Sequence, residues 1–299
     1  MATPGKPTAA ALTSSTTGRE REFHFTSTDF DQVRKLIYDH AGISLAPIKQ
    51  DMVYSRLARR LRALDLNSFQ DYLNYLQSGD NEQEWETFVN SLTTNLTSFF
   101  REAHHFDILL KHLQGIKHRP IRIWCSAAST GEEPYTLAMT ACEAFDTLTP
   151  PVAIVASDID TNVLATAEKG VYPLERVEKL STDRLRRFFL KGSGAQSGFV
   201  RVRPELQKLL SFTRINLLDA RLPLQGPFDV MFCRNVMIYF DKPTQRAILK
   251  KFAPLLREDG LLFAGHSESF LHAADVFRPL GRTVYERADR PASASATRA

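Results

Sequence analysis

The chain has 299 residues, of which 43% are hydrophobic, enough for a substantial core and for more than one domain. Its formal charge of +4 is small for that length, and its three cysteines, Cys125, Cys142 and Cys233, are odd in number and contain no CxxC. Bulk charge therefore implies no nucleic-acid partner, and the cysteines exclude a disulfide framework and a thiolate zinc site, predicting reduced thiols in a cytoplasmic protein. Met1 to about Arg21 and Arg290 to Ala299 are rich in small and polar residues and are expected to be disordered tails. From Phe23 to Asn95 the apolar spacing is helical. Thr28 or Asp29 is placed to cap a helix with Phe30, Val33, Leu36 and Ile37 on one face, and further helices are expected from about Asp51, Ser68 and Asn81. These form an all-helical domain over 22–95. In its second helix Leu57, Leu61 and Leu64 share one face, while Arg56, Arg59 and Arg60 share another with Arg62 nearby, a basic face that is either solvated or meets an acidic partner.

After Phe106 the texture changes. Apolar runs at Ile121 to Trp124, Val152 to Ala156, Phe212 to Ile215, Val230 to Cys233 and Gly260 to Ala264 predict buried strands alternating with helices. The fold class is therefore α/β, a doubly wound and mostly parallel sheet with helices on both faces, over 96–289. One stretch, about 171–210, breaks the alternation. A helical pattern over Asp183 to Leu190, the turn KGSGAQSG and the two-residue alternation of FVRVR predict a small antiparallel β insertion. It is either surface decoration or an exposed strand edge offered to a peptide.

The chemistry concentrates where strands end. IRIWCSAASTGEEPYT, Ile121 to Thr136, runs from a strand through small residues to two acids at a helix start. Ala127, Ala128 and Gly131 let backbone approach a ligand, whereas Glu132 and Glu133 would repel a pyrophosphate and no GxGxxG is present, so the loop favours S-adenosylmethionine over a dinucleotide. VAIVASDID ends a second strand in Asp158, which suits ribose hydroxyls; Asp160 could do the same or cap the helix from Thr161. RINLLDARLP places Asn216, Leu217 and Asp219 where an adenine could be held, a weak signal taken alone. FDVMFCRNVMIYFD brings Arg234, Asn235 and Tyr239 to the crevice beyond a further strand, and TTNLTSFFR, Thr93 to Arg101, links the two domains with Asn95, Thr97 and Arg101. GHSES, Gly265 to Ser269, lacks the second glycine of GxSxG and reads as a loop. Without HExxH among eight histidines no metal is expected, and without an apolar run of about 18 residues no direct membrane insertion is expected.

TTNLTSFFR, WCSAASTGEEPYT, ASDID and FCRNVMIYFD, in this order and at these separations, resemble the chemotaxis receptor methyltransferase family, CheR, and the likeness spans nearly all of Phe23 to Arg287. The resemblance implies a Rossmann-like enzyme that transfers methyl groups from S-adenosylmethionine to glutamates on the cytoplasmic helical bundles of methyl-accepting receptors, releasing S-adenosylhomocysteine. It implies cofactor contacts at Asn95, Thr97, Arg101, Glu132, Asp158, Asn216, Leu217, Arg234 and Asn235, with Arg101 and Tyr239 beside the transferred methyl. It makes Arg56, Arg59, Arg60 and Arg62 candidates for the receptor surface, and the insertion a candidate dock for a receptor's C-terminal pentapeptide. A monomer recruited to membrane receptors through protein contacts is expected. A nucleic-acid methyltransferase is disfavoured, since no NPPY-like motif or base-stacking aromatic array accompanies the arginines.

Overall fold

The computed structural model describes residues 21–79, 81–117 and 119–289, so the expected tails, Arg21 apart, lie outside the described residues. Helices α1 (Ser27–Ala41), α2 (Gln50–Ala63), α3 (Phe69–Gln77) and α4 (Glu82–Leu92) form the N-terminal unit. The cap of the first lies two residues earlier than Thr28. Thr26 is the cap: its Oγ1 accepts from the Asp29 N–H at 3.0 Å while Asp29 Oδ2 accepts from the Thr26 N–H at 2.8 Å, a reciprocal capping box. Val33, Ile37, Val53, Leu57, Leu61, Tyr72, Leu76 and Phe88 from the four helices meet in one core with essentially no exposure. Burying each such side chain contributes about 1.5–3 kcal/mol, which is what holds four short helices together.

That packing redistributes the arginines of α2. Arg60 turns inward, giving Glu84 a two-pronged pair at 3.0 and 2.6 Å, and Tyr72 donates to the same carboxylate at 2.8 Å. Arg56 donates to the carbonyls of Ser91 and Thr93 at 3.1 and 2.6 Å, holding the chain that leaves α4. Arg62 pairs with Glu22, and Arg59 is exposed. The expected single basic face is therefore divided, because Arg60 flanks the buried Leu57–Leu61 stripe and Arg56 faces the linker.

The second unit contains α5 (His104–Gly115), β1 (Ile121–Cys125), α6 (Glu132–Phe145), β2 (Val152–Asp158), α7 (Thr161–Lys169), β3 (Val171–Pro173), α8 (Thr182–Phe188), β4 (Phe189–Lys191), β5 (Phe199–Val202), α9 (Pro204–Gln207), β6 (Leu210–Arg214), β7 (Phe228–Cys233), α10 (Lys242–Phe252), β8 (Leu256–Ala264), β9 (Phe277–Gly281) and β10 (Val284–Arg287). Seven strands order as β6-β2-β1-β7-β8-β10-β9. Pairs from β6 to β8 are parallel, and β10 and β9 add antiparallel at one edge. Alternation sorts the side chains by face. Ile121, Ile123, Val230, Phe232, Leu261 and Phe263 pack with α5 and α6, while Trp124, Met231 and Leu262 pack with α10.

The insertion is a three-stranded sheet in the order β3-β5-β4. FVRVR is thus the central strand and not an edge; its alternation arises because Phe199 and Arg201 face solvent and Val200 and Val202 face inward. Tyr172, Phe188, Val200 and Val202 join the core that covers α6, which explains why that helix is buried almost all round. The outer strands are β3 and β4.

Candidate active site

Strand order reverses at β1, with β2 on one side and β7 on the other, and the carboxyl ends of these strands splay to leave a crevice. A cleft opens there, with about 930 Å³ of empty space counting its open mouth. The helical unit closes one side through Ala41 and Ile43, and the linker closes the top through Thr93 to Thr97. Of the sequence-derived positions, Asn95, Thr97, Arg101, Asp158, Asn216, Leu217, Arg234, Asn235 and Tyr239 all line this space.

Glu132 does not share that lining. Its carboxylate is buried, accepts from Thr130 Oγ1 at 2.6 Å and lies 3.7 Å from Arg176, whereas the adjacent Glu133 lines the cleft. One residue is a rotation of about 100° on a helix, so the first turn sends its two acids to different sides. Gly131 is likewise explained by packing and not by ligand approach. Its φ is 98°, and a Cβ would sit 2.8 Å from Ala167 Cβ and 2.7 Å from the Tyr172 hydroxyl. Ala128 is buried, leaving Ser126, Ala127 and Ser129 as the cleft-lining residues of the turn.

The two aspartates after β2 divide their roles. Asp160 caps α7, accepting from the N–H groups of Asn162 and Val163, and its second oxygen accepts from Asn95 Nδ2 at 3.2 Å. Asp158 accepts from the N–H of Ser129 at 2.8 Å and of Asp160 at 3.1 Å, one to each oxygen, and keeps lone pairs for a ligand. Burial pushes its carboxyl above the usual range, opposed by those N–H bonds. Asn216 accepts from the Leu218 N–H at 3.0 Å, which fixes its amide beside the cleft.

Arg234 sits at the floor, 3% exposed, and its charge is already matched. It donates to Glu133 Oε2 at 2.6 Å and to the Arg101 carbonyl at 2.5 Å, and lies 3.2 Å from Glu102 Oε2. Burial pushes the Glu133 carboxyl up against the pull of Arg234. Burial also opposes ionisation of Glu102, but the hydrogen bond with His266 and the Arg234 charge hold that carboxyl down at about 2. Glu102 escaped the sequence reading, and Glu133 was noted beside Glu132 without being assigned to the site, because nothing local marks their partner, which lies 132 and 101 positions away. Above this floor, Arg101 reaches back to the Leu96 carbonyl at 2.7 Å. The Tyr239 hydroxyl accepts from the Thr94 N–H at 3.2 Å and donates to the Thr94 carbonyl at 3.3 Å.

The family description "CheR methyltransferase, SAM binding domain" matches residues 95–286, and "CheR methyltransferase, all-alpha domain" matches residues 28–93. The chain belongs to the CheR methyltransferase family. It is 55% identical over 270 residues to chemotaxis protein methyltransferase 2 of Pseudomonas aeruginosa, covering 90% of this chain and 96% of that one. The chemotaxis protein methyltransferase of Salmonella typhimurium is 52% identical over 256 residues, 86% and 88% of the two chains, and that of Borreliella burgdorferi is 33% identical over 256 residues, 82% and 89%. This CheR-family enzyme is an S-adenosylmethionine-dependent methyltransferase. Its cleft fits that cofactor. Asp158 keeps lone pairs that suit hydroxyls, and acids in the first turn of α6 make it a poor seat for phosphate.

Proposed function

We propose that the enzyme methylates glutamate side chains on the cytoplasmic helical bundle of methyl-accepting chemotaxis receptors, forming glutamate methyl esters for sensory adaptation. The observation that carries this reading is the unbroken likeness to chemotaxis protein methyltransferases across both units, including the linker and cleft. When bound, the cofactor supplies an activated methyl on a sulfonium. A glutamate is ionised at neutral pH, so the protein needs no strong base and no metal, only alignment. Positioning of this kind can contribute about 7–11 kcal/mol in favourable cases.

Arg101 and Tyr239 are the residues we assign to that task. The Arg101 guanidinium lies on the linker beside the cleft, where it can orient an incoming carboxylate. The Tyr239 hydroxyl donates to a carbonyl at a long 3.3 Å, a bond that a carboxylate oxygen competes for well, since charge-assisted bonds are stronger. Neither acts as a base. Asn95, Thr97, Asp158, Asn216, Leu217, Arg234 and Asn235 are assigned to the cofactor; Glu132, buried outside the cleft lining, supports the turn through Thr130. Residues 22–95 serve as the receptor-facing unit and 96–289 as the methyltransferase unit.

On α2, Arg59 and Arg62 are the arginines best exposed to an acidic receptor helix, while Arg56 and Arg60 support the surface from within. The outer strand β4 of the insertion, beside the exposed Leu190 and Phe199, is where a receptor's C-terminal pentapeptide would add as a further strand. No helix of the described residues is long and apolar enough to cross a membrane. The enzyme then works as a cytoplasmic monomer brought to receptors by protein contacts.

The test is transfer of label from the cofactor to a receptor cytoplasmic fragment, with a base-labile product. Arg101→Ala and Tyr239→Phe should each lower turnover by at least about tenfold. Wild-type turnover in both variants would defeat the role assignment, and a base-stable product would defeat the ester.

A further inference from the structure

The run GHSES is not an idle loop. It follows β8, and Glu268 turns back into the protein, where it is 5% exposed. Its Oε2 accepts from the N–H of Asn235 at 2.9 Å and of Gly265 at 2.5 Å, and its Oε1 accepts from the N–H of Met237 at 2.7 Å. Residues 234–239 form the connection from β7 that carries Arg234, Asn235 and Tyr239 to the cleft. Asn235 within it has φ 60°, a region sparsely populated by residues other than glycine. A chain bent this way turns successive N–H groups to one side and makes an anion-binding concavity, and here the protein fills the concavity with a carboxylate of its own. Gly265 lies in the same knot. A Cβ there would come within 2.5 Å of Asn235 Nδ2 and 2.9 Å of Glu268 Oε2.

We propose that Glu268 is the positioning residue of the methyl-transfer site, holding residues 234–239 in the bent conformation that presents Asn235 to the cofactor and Tyr239 to the linker. Glu268 does not line the cleft, so it acts through the loop. The turnover part of the test rests on the receptor-methylation reading. The binding part rests only on the cofactor.

Glu268→Gln replaces one accepting oxygen with an amide that opposes the converging N–H groups, while keeping size. Calorimetry with S-adenosylhomocysteine, well below the melting temperature, should give a Kd at least about tenfold weaker than wild type. Transfer to a receptor fragment should show kcat reduced by at least about tenfold, with the KM for the fragment within about twofold. Gly265→Ala, which crowds the same knot from the other side, should give the same pattern. Glu84→Gln removes an equally enclosed carboxylate from the helical unit; it should lower the melting temperature and leave the Kd alone. A folded Glu268→Gln with Kd and kcat within about twofold of wild type overturns the proposal. If that variant does not fold, Gly265→Ala decides by the same criterion, and failure of both to fold also overturns it, since the carboxylate would then support the whole domain. If wild-type enzyme transfers nothing to the fragment, the receptor reading fails while the Kd comparison still judges Glu268.

Discussion

Arg234 illustrates how a charge at the end of a strand can belong to the site without being free for chemistry. Its guanidinium is enclosed between Glu133, Glu102 and the Arg101 carbonyl, so its work is to hold the start of α6 and the linker together. Glu133→Gln should therefore destabilise the fold by about 1–3 kcal/mol in urea titration, because it removes one of the two carboxylates that match a buried cation and leaves Glu102. The acid behaviour of this cluster has a definite sign. Glu102 is held at about 2 against an ordinary 4.5, so its stabilisation is complete above pH 4.5 and is lost as pH falls from there toward 2. His105, driven by burial down to about 4 from 6.5, leaves the unfolded chain to bind the proton first, so stability falls between pH 6.5 and 4 and that loss levels off below. Denaturant titrations of His105→Asn should show a shallower decline across that window, and the His105 ring in the native enzyme should stay neutral by NMR at pH 5. Placement at the cleft was legible where a strand end marks it, as for Asp158, Asn235 and Tyr239. It was ambiguous wherever two like residues adjoin, as with Glu132 and Glu133, because spacing alone does not say which one turns toward the ligand.

At the scale of elements, α2 separates pattern from placement. The leucine spacing announced an amphipathic helix, yet the side on which each arginine falls depends on α3, α4 and the linker. Arg60→Ala should cost about 3–5 kcal/mol by leaving Glu84 unpaired in the core. Arg59→Ala should change stability by less than about 0.5 kcal/mol while raising the KM for the receptor fragment in a salt-dependent way. The β insertion teaches the same lesson. Two-residue alternation in FVRVR correctly reported one wet and one dry face, but a central strand and an edge strand share that pattern whenever one face is exposed. β9 and β10 went unread because their short runs carry Arg, Pro and Gly among the apolar residues, and β10 gains its place by pairing with β8 while β9 pairs in turn with β10.

For the whole molecule, the decisive feature is a cleft walled by both units. Ala41 and Ile43 come from the helices, Asp158 and Arg234 from the sheet, and the linker is tied to each: Arg56 holds Thr93, Asp160 holds Asn95 and Tyr239 holds Thr94. Tyr239 and Ile159 also pack against the helical core. A ligand in this space should therefore stabilise both units together. At a hundredfold excess over Kd, S-adenosylhomocysteine should add about 2.7 kcal/mol and raise a single calorimetric transition by about 5–10 °C. Two transitions, with only the upper one shifted, would show the units to be uncoupled. The sequence by itself determined the helical unit, the parallel sheet, the small-residue turn with its acids and the polar strand ends, because these are written in local spacing and composition. Only the tertiary structure decided that Arg60 faces inward, that Glu133 lines the cleft in place of Glu132, and that a carboxylate in GHSES reaches residues 235 and 237. Those assignments depend on strand order and helix packing, which bring together groups tens to more than a hundred positions apart, and no local pattern records which distant partner a buried charge will meet.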